Sequence, residues 1–261
     1  MSQILKVGQH GIVVGSPHIS GAGRTQFCYH LLKALNNLDQ VLVLSYDVHR
    51  DLAKPSDDAL FLMELGVKVV ITSNRSLSIR ENPEYKYYLF DGGWEDPALD
   101  DSIHIGLFRS HYQANWRNLW PLGDLRSLPK NHKTRKNNQI DLHWSKNINW
   151  SEDTPVNNQA KKWDFQASSS LLLSGGDQEG LKYCLEQRGF IFDEVFSLRD
   201  HSRQLESKLL FLLDTKPYAQ VLITNKERVK CTKMTLESSR IFILDDQILG
   251  FNFQDFWKDL L

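Results

Sequence analysis

The chain has 261 residues, 41% hydrophobic and 24% charged, with a formal net charge of −1. This globular composition suits one large domain or two modest ones, and the near-neutral balance excludes a generally basic nucleic-acid binder. Cys28, Cys184 and Cys231 are odd in number and scattered, which excludes a disulfide framework or a closely spaced zinc site and suits reduced thiols in a cytosolic setting. The N-terminal MSQILKVGQHG lacks the apolar core of a signal peptide, and no apolar run reaches membrane-spanning length, so membrane contact is expected to be peripheral.

In chain order, HGIVVGSP reads as a buried strand: a short apolar run that ends in glycine. TQFCYHLLKALNNL carries Phe27, Leu31, Leu32 and Leu35 at helical spacing. QVLVLSY is a second buried strand, and PSDDALFLMELG a helix with acidic residues in its first turn, where they suit the helix dipole. VKVVIT, YKYYLFD and SIHIGLF follow as strands. Strands that alternate with helices predict a parallel sheet covered on both faces.

Residues 108–165 are less regular: RSLPKNHKTRKNNQ reads as an exposed basic loop and WSEDTPVNNQAKKW as a polar connector between two lobes. Alternation then resumes with SSSLLLSGG (strand), DQEGLKYCLEQRG (helix closed by Gly189), IFDEVFSL (strand), QLESKLLFLLDT (helix), AQVLIT and SRIFILDD (strands), and the terminal amphipathic FNFQDFWKDLL. The pattern predicts an α/β chain with a larger parallel-sheet domain over residues 1–165 and a smaller α/β lobe over 166–261.

HISGAGRTQF, after the first strand, approximates the phosphate-loop pattern G-x-x-x-x-G-K-[ST]. In this context backbone N–H groups over Ser20, Gly21, Ala22, Gly23, Arg24 and Thr25 would wrap anionic phosphates at a helix N-terminus, and Thr25 would hold Mg²⁺. The pattern departs twice: Arg24 replaces lysine, and Pro17 and His18 stand where the first glycine belongs. Arginine keeps the charge, but its planar fork is larger than a compact ammonium and less able to bridge β- and γ-phosphates. The bare pattern leaves open a phosphate loop and an ordinary glycine-rich strand-to-helix turn.

In open parallel sheets ligands sit at the carboxyl ends of strands. Asp91, after the fourth strand, is a candidate Mg²⁺-associated acid there, although DGG by itself also reads as a turn. Asp57 and Asp58 by themselves read as acidic residues opening a helix. His201 in SLRDHSRQ is placed to orient a carboxylate base across an inter-lobe cleft; in isolation it reads as a surface histidine.

Together these segments resemble the tetraacyldisaccharide 4'-kinase (lipid A 4'-kinase) family. VVGSPHISGAGRTQ resembles the family's phosphate loop, SDDALFL its GDE-containing segment, VVITSNRSL its VVVxxDR, and LFDGGWEDPAL its LDDGFQHxxL. LWPLGDLRSLP resembles LLPAGPLREP, LLLSGGDQEGL resembles xAGIxxPxxF, SLRDHSR resembles FPDHHxY, and VLITNKERVK resembles xLTTEKDAVK. Eight matches fall in the same order from about residue 13 to 230.

The resemblance implies a P-loop NTPase-like domain with a second, smaller Rossmann-like lobe. It implies transfer of the ATP γ-phosphoryl to the 4'-hydroxyl of a lipid disaccharide 1-phosphate, in a Mg²⁺-dependent reaction at the cytoplasmic face of the inner membrane. Asp57 falls on the family's catalytic aspartate and His201 on its histidine partner; a carboxylate held by a histidine can accept the proton of a sugar hydroxyl as transfer proceeds. Asp58 falls beside it as a metal contact, Thr25 on the loop threonine, and Arg126 on an arginine suited to grip an anionic group of the acceptor. The family's DDG pair appears as Asp91-Gly92, so one carboxylate is replaced, and the loop begins almost at once, without the family's hydrophobic N-terminal helix. These departures also accommodate a relative that binds nucleotide or lipid without turnover, or a phosphotransferase with a small soluble acceptor.

Overall fold

The computed structural model describes residues 5, 8–17, 23–45, 55–94, 96–99, 101–108, 139–143, 149–152, 155, 157, 159–174, 178–198, 204–244 and 246–260. The chain is α/β and forms two compact units, Met1–Asn149 with Ile248–Leu261, and Trp150–Gln247. The sequence pattern runs the terminal segment on with the smaller lobe from residue 166; the compact units instead group it with the first.

The first unit runs β1 (His10–Gly15), α1 (Arg24–Lys33), β2 (Val41–Ser45), α2 (Asp57–Met63), β3 (Lys68–Ile71), α3 (Arg75–Glu81), β4 (Tyr87–Asp91), β5 (Ile103–Phe108) and β6 (Gln139–His143). The strands form one sheet in the order β3-β2-β4-β1-β5-β6, and every described pairing is parallel. β1, β2, β4 and β5 read as continuous apolar runs because both of their faces are covered. On one face Val13, Leu42, Leu44, Tyr88 and Phe90 pack with Ile79 of α3 and with Leu99. Phe27, Leu31 and Leu32 of α1 are fully buried as well.

Local signals set the helix starts. Ser56 accepts a hydrogen bond from the Ala59 N–H to cap α2, and Asn74 accepts from the Leu77 N–H to cap α3. The sequence reading left α3 without an element, and also β6 and the short strand β7 (Asn149–Glu152), which fall within its irregular stretch.

The C-terminal helix Phe253–Leu260 belongs to this first unit. Phe251 and Phe253 set their rings 5.1 and 5.0 Å from that of Phe27 in α1. Trp257 meets Tyr87 edge-on at 5.3 Å, and its indole N–H donates to the Leu31 carbonyl at 2.6 Å. The amphipathic pattern of the segment is thereby spent on covering α1 and β4.

The second unit runs β8 (Ser169–Ser174), α4 (Gln178–Gln187), β9 (Glu194–Leu198), α5 (Leu205–Thr215), β10 (Gln220–Thr224), α6 (Asn225–Arg228), α7 (Lys233–Leu236) and β11 (Ile241–Leu244). Its four strands are parallel in the order β11-β10-β8-β9. Leu171, Leu173, Leu222, Phe242 and Leu244 face Leu185 of α4, while Leu172, Val221, Ile223 and Ile241 face Leu205, Leu209 and Leu212 of α5. Alternate residues of each strand thus feed two separate hydrophobic layers.

Candidate functional site

The arrangement of the first sheet brings chemically distinct segments to one edge. The chain leaves β1 toward β2 on one side and leaves β5 toward β6 on the other, the topology that opens a crevice at strand carboxyl ends. In register, Asp91 of β4 lies beside Val14 of β1 and Ser45 of β2. Parallel connectivity starts α1, α2 and α3 at this same edge. Thr25, Asp57, Asp58 and Arg75, although far apart in sequence, therefore share it with Asp91.

Gly23 caps α1 in the left-handed region (φ 72°, ψ 22°), where glycine carries no steric cost. As a glycine, the capping residue offers no side-chain cap, and the first turn of the helix has no acidic residue. The first N–H groups of a helix and its dipole favour an anion. One residue inside the helix, the Thr25 hydroxyl donates to Asp91 Oδ2 at 2.9 Å, and both residues are buried. This bond ties the loop helix to the strand end across 66 positions of sequence.

The turn after β4 is built tightly around this pair. The Gly92 N–H donates to the Val14 carbonyl at 2.9 Å, which continues the ladder past Asp91. Gly92 and Gly93 both have positive φ, 94° and 91°. A Cβ on Gly92 would lie 3.2 Å from Arg24 Nη1, and one on Gly93 3.0 Å from Arg75 Cζ. Two guanidinium groups thus approach consecutive glycines. Arg75 is ion-paired with Asp96 at 3.2 Å. Trp94, which follows the turn, is buried against two glycines: a Cβ on Gly15 would meet it at 2.6 Å, and one on Gly106 at 2.5 Å.

Asp57 is buried in the first turn of α2, next to Asp58. The Cys28 thiol, buried one turn below Arg24, registers the local field. Burial pushes it well above its ordinary range, the negative charges of Asp91 and Asp58 push in the same direction, and Arg24 opposes them. Asp58, Asp91 and Arg24 therefore act on one point of α1.

Of the residues singled out from sequence, Gly23, Arg24, Thr25, Asp57, Asp58 and Asp91 lie at this edge. Ser20, Gly21, Ala22, Arg126 and His201 lie outside the described residues. Arg75, Asp96 and Trp94 were not singled out as site residues. The signal for Arg75 was faint, an arginine after an Asn that caps a helix; Trp94 becomes significant only once Gly15 and Gly106 lie beneath it. Among the described residues no group of three or more His, Cys, Asp and Glu is gathered as a metal site, and no helix is long and apolar enough to cross a membrane.

A six-stranded parallel sheet whose helices start at the carboxyl ends of its strands, with a second, four-stranded parallel sheet, makes a mixed α/β fold in which a strand-end aspartate is bonded to a threonine in the first turn of α1. Among solved structures the chain is similar to the "apo" form of LpxK from Aquifex aeolicus in complex with ATP. The TM-score is 0.63 at 18% sequence identity, over 97% of this chain and 87% of that one. At that identity the likeness is one of fold. No protein-family model matches the chain, and no curated protein matches it in sequence.

Proposed function

We propose that the chain is an ATP-dependent phosphotransferase, and that its acceptor is the 4'-hydroxyl of a lipid A disaccharide 1-phosphate. The observation that carries the reading is the Thr25–Asp91 hydrogen bond at the N-terminus of α1, beside the carboxyl end of β1. Two further points support it: the LpxK structure of like fold holds ATP, and LpxK is a tetraacyldisaccharide 4'-kinase, the family whose eight motifs this sequence follows in order.

In this reading the loop from Ser20 to Thr25 wraps the nucleotide phosphates with backbone N–H groups, and Arg24 adds a cation. The donor set is compatible with Mg²⁺: the Thr25 hydroxyl and the Asp91 carboxylate are hard oxygen donors already 2.9 Å apart. One carboxylate and one hydroxyl suit an ion whose other positions are filled by water and phosphate oxygens. Asp58 is a further candidate ligand. Bound Mg²⁺ would supply neutralisation of charge on the transferring phosphate. Asp57 would accept the proton of the attacking hydroxyl, with His201 orienting it and Arg126 gripping an anionic group of the acceptor. With such an acceptor the protein would work peripherally at the cytoplasmic face of the inner membrane.

A second reading, a relative that binds nucleotide or lipid without turnover, is favoured by Arg24 and Gly92, where the family has lysine and a second aspartate. The test is incubation of purified protein with γ-labelled ATP, Mg²⁺ and lipid disaccharide 1-phosphate in detergent, beside Asp57→Ala. Label in the lipid, absent with the variant, supports the kinase. ATP binding with no transferred label supports the second reading or a different acceptor.

A further inference from the structure

Resting on the nucleotide reading above, we infer that Arg24 and Gly92 form a matched pair that converts this phosphate site from metal-dominated to guanidinium-dominated ATP binding.

The geometry has three parts. First, the guanidinium of Arg24 lies over the backbone of the turn after β4, where a side chain at position 92 would project; a Cβ there would stand 3.2 Å from Nη1, closer than ordinary van der Waals contact. Glycine at 92 also supplies the φ of 94°. An aspartate at this position, the arrangement that would give the site two consecutive carboxylates, would bring its carboxylate beside the guanidinium and pair with it, drawing the cation away from a bound phosphate.

Second, no hydrogen bond or ion pair among the described residues engages the Arg24 guanidinium, although the residue is half-buried. Arg75, on the adjacent glycine, is by contrast held by Asp96. A partly buried guanidinium with no ion-pair partner among the described residues, at a helix N-terminus, is arranged for an anion.

Third, the carboxylate next to position 92, Asp91, is tied to the Thr25 hydroxyl. Relative to a site with two carboxylates, one negative charge is gone; relative to lysine, the cation is a planar fork that meets two phosphate oxygens at once. With Asp58 still at this edge, the first change weakens the site's hold on a divalent ion without abolishing it, and the second strengthens the direct hold on phosphate. Residues 24 and 92 thereby compensate each other: glycine at 92 leaves the guanidinium without a carboxylate beside it, and the cation is kept for phosphate in place of the lost carboxylate's hold on metal.

The test is calorimetric titration with ATP, in Mg²⁺ and in EDTA, of the parent, Arg24→Lys, Gly92→Ala and the double variant, each first shown by its melting curve to be folded. The parent should bind in EDTA within about threefold of its affinity in Mg²⁺, whereas Arg24→Lys should lose about tenfold or more in EDTA. Strain from alanine at the positive φ of position 92 is common to both backgrounds, so the mark of coupling is the difference: Gly92→Ala should weaken binding at least about threefold more in the parent than when made together with Arg24→Lys, because only in the parent does the added methyl displace the guanidinium. Parent binding that collapses on removal of Mg²⁺, or substitutions whose effects simply add, would overturn the inference while leaving the nucleotide reading intact. Failure to bind ATP in Mg²⁺ as well as in EDTA would overturn both.

Discussion

Replacement of Trp257 by phenylalanine tests how α1 is held. The indole is 2% exposed and donates to the Leu31 carbonyl at 2.6 Å, a bond that joins residues 226 positions apart. Leu31 lies in the last turns of α1, where carbonyls run out of helical partners; the Leu35 N–H that would serve it bonds to Leu32 instead. Phenylalanine keeps a ring against Tyr87 and removes the donor and part of the volume. A buried acceptor left without its donor costs about 1–3 kcal/mol, and the space left by the smaller ring about 1 kcal/mol more. At roughly 2–4 °C per kcal/mol for a chain of this size, the midpoint of thermal unfolding should fall by about 4–16 °C. Scanning calorimetry measures it. Lys258→Ala, one residue on and solvent-exposed, should move the midpoint by less than about 1 °C, since exposed ion pairs such as Lys258–Asp255 contribute little. A Trp257→Phe protein that melts within about 1 °C of the parent would refute the idea that the C-terminal helix anchors α1 through this bond.

Gly15→Ala places a methyl 2.6–2.7 Å from two carbons of Trp94, both inside the core, so overpacking of about 1–3 kcal/mol is expected; Trp94→Leu in the same protein should recover part of it, measured by denaturant titration. In the second unit, burial by itself would raise the Glu206 carboxyl, but hydrogen bonds from the Thr232 N–H and from the Thr232 and Thr235 hydroxyls outweigh it and hold the group below its ordinary 4.5. A carboxyl with a folded pKa below its unfolded one stabilises the fold above the unfolded value, and that contribution is lost as pH falls through the folded pKa. Glu206→Gln should therefore flatten the acid limb of stability against pH below about 4.5, and an unchanged limb would remove Glu206 from the account.

The sequence alone determined the elements whose burial is uniform. HGIVVG, VLVLS and YYLFD are unbroken apolar runs because each strand is covered on both faces, and such runs between helical periods can only be interior strands of a parallel sheet. The helix after the first strand was legible too, because Phe27, Leu31 and Leu32 recur at helical spacing and are all buried. α3 went unread because RSLSIRE is short and its Leu77 is exposed, so no apolar face shows in the pattern. β6 went unread because QIDLH, last in the order of the described strands beside β5, is polar and partly exposed. Only the tertiary structure decided the order of the strands, which sets Asp91 against Thr25, and the return of the C-terminal helix to α1. It also decided that Arg24 lies over Gly92. Each of these is a contact between segments distant in the chain, selected by which packing buries the most apolar surface. Local periodicity records what each segment must bury but not against which partner.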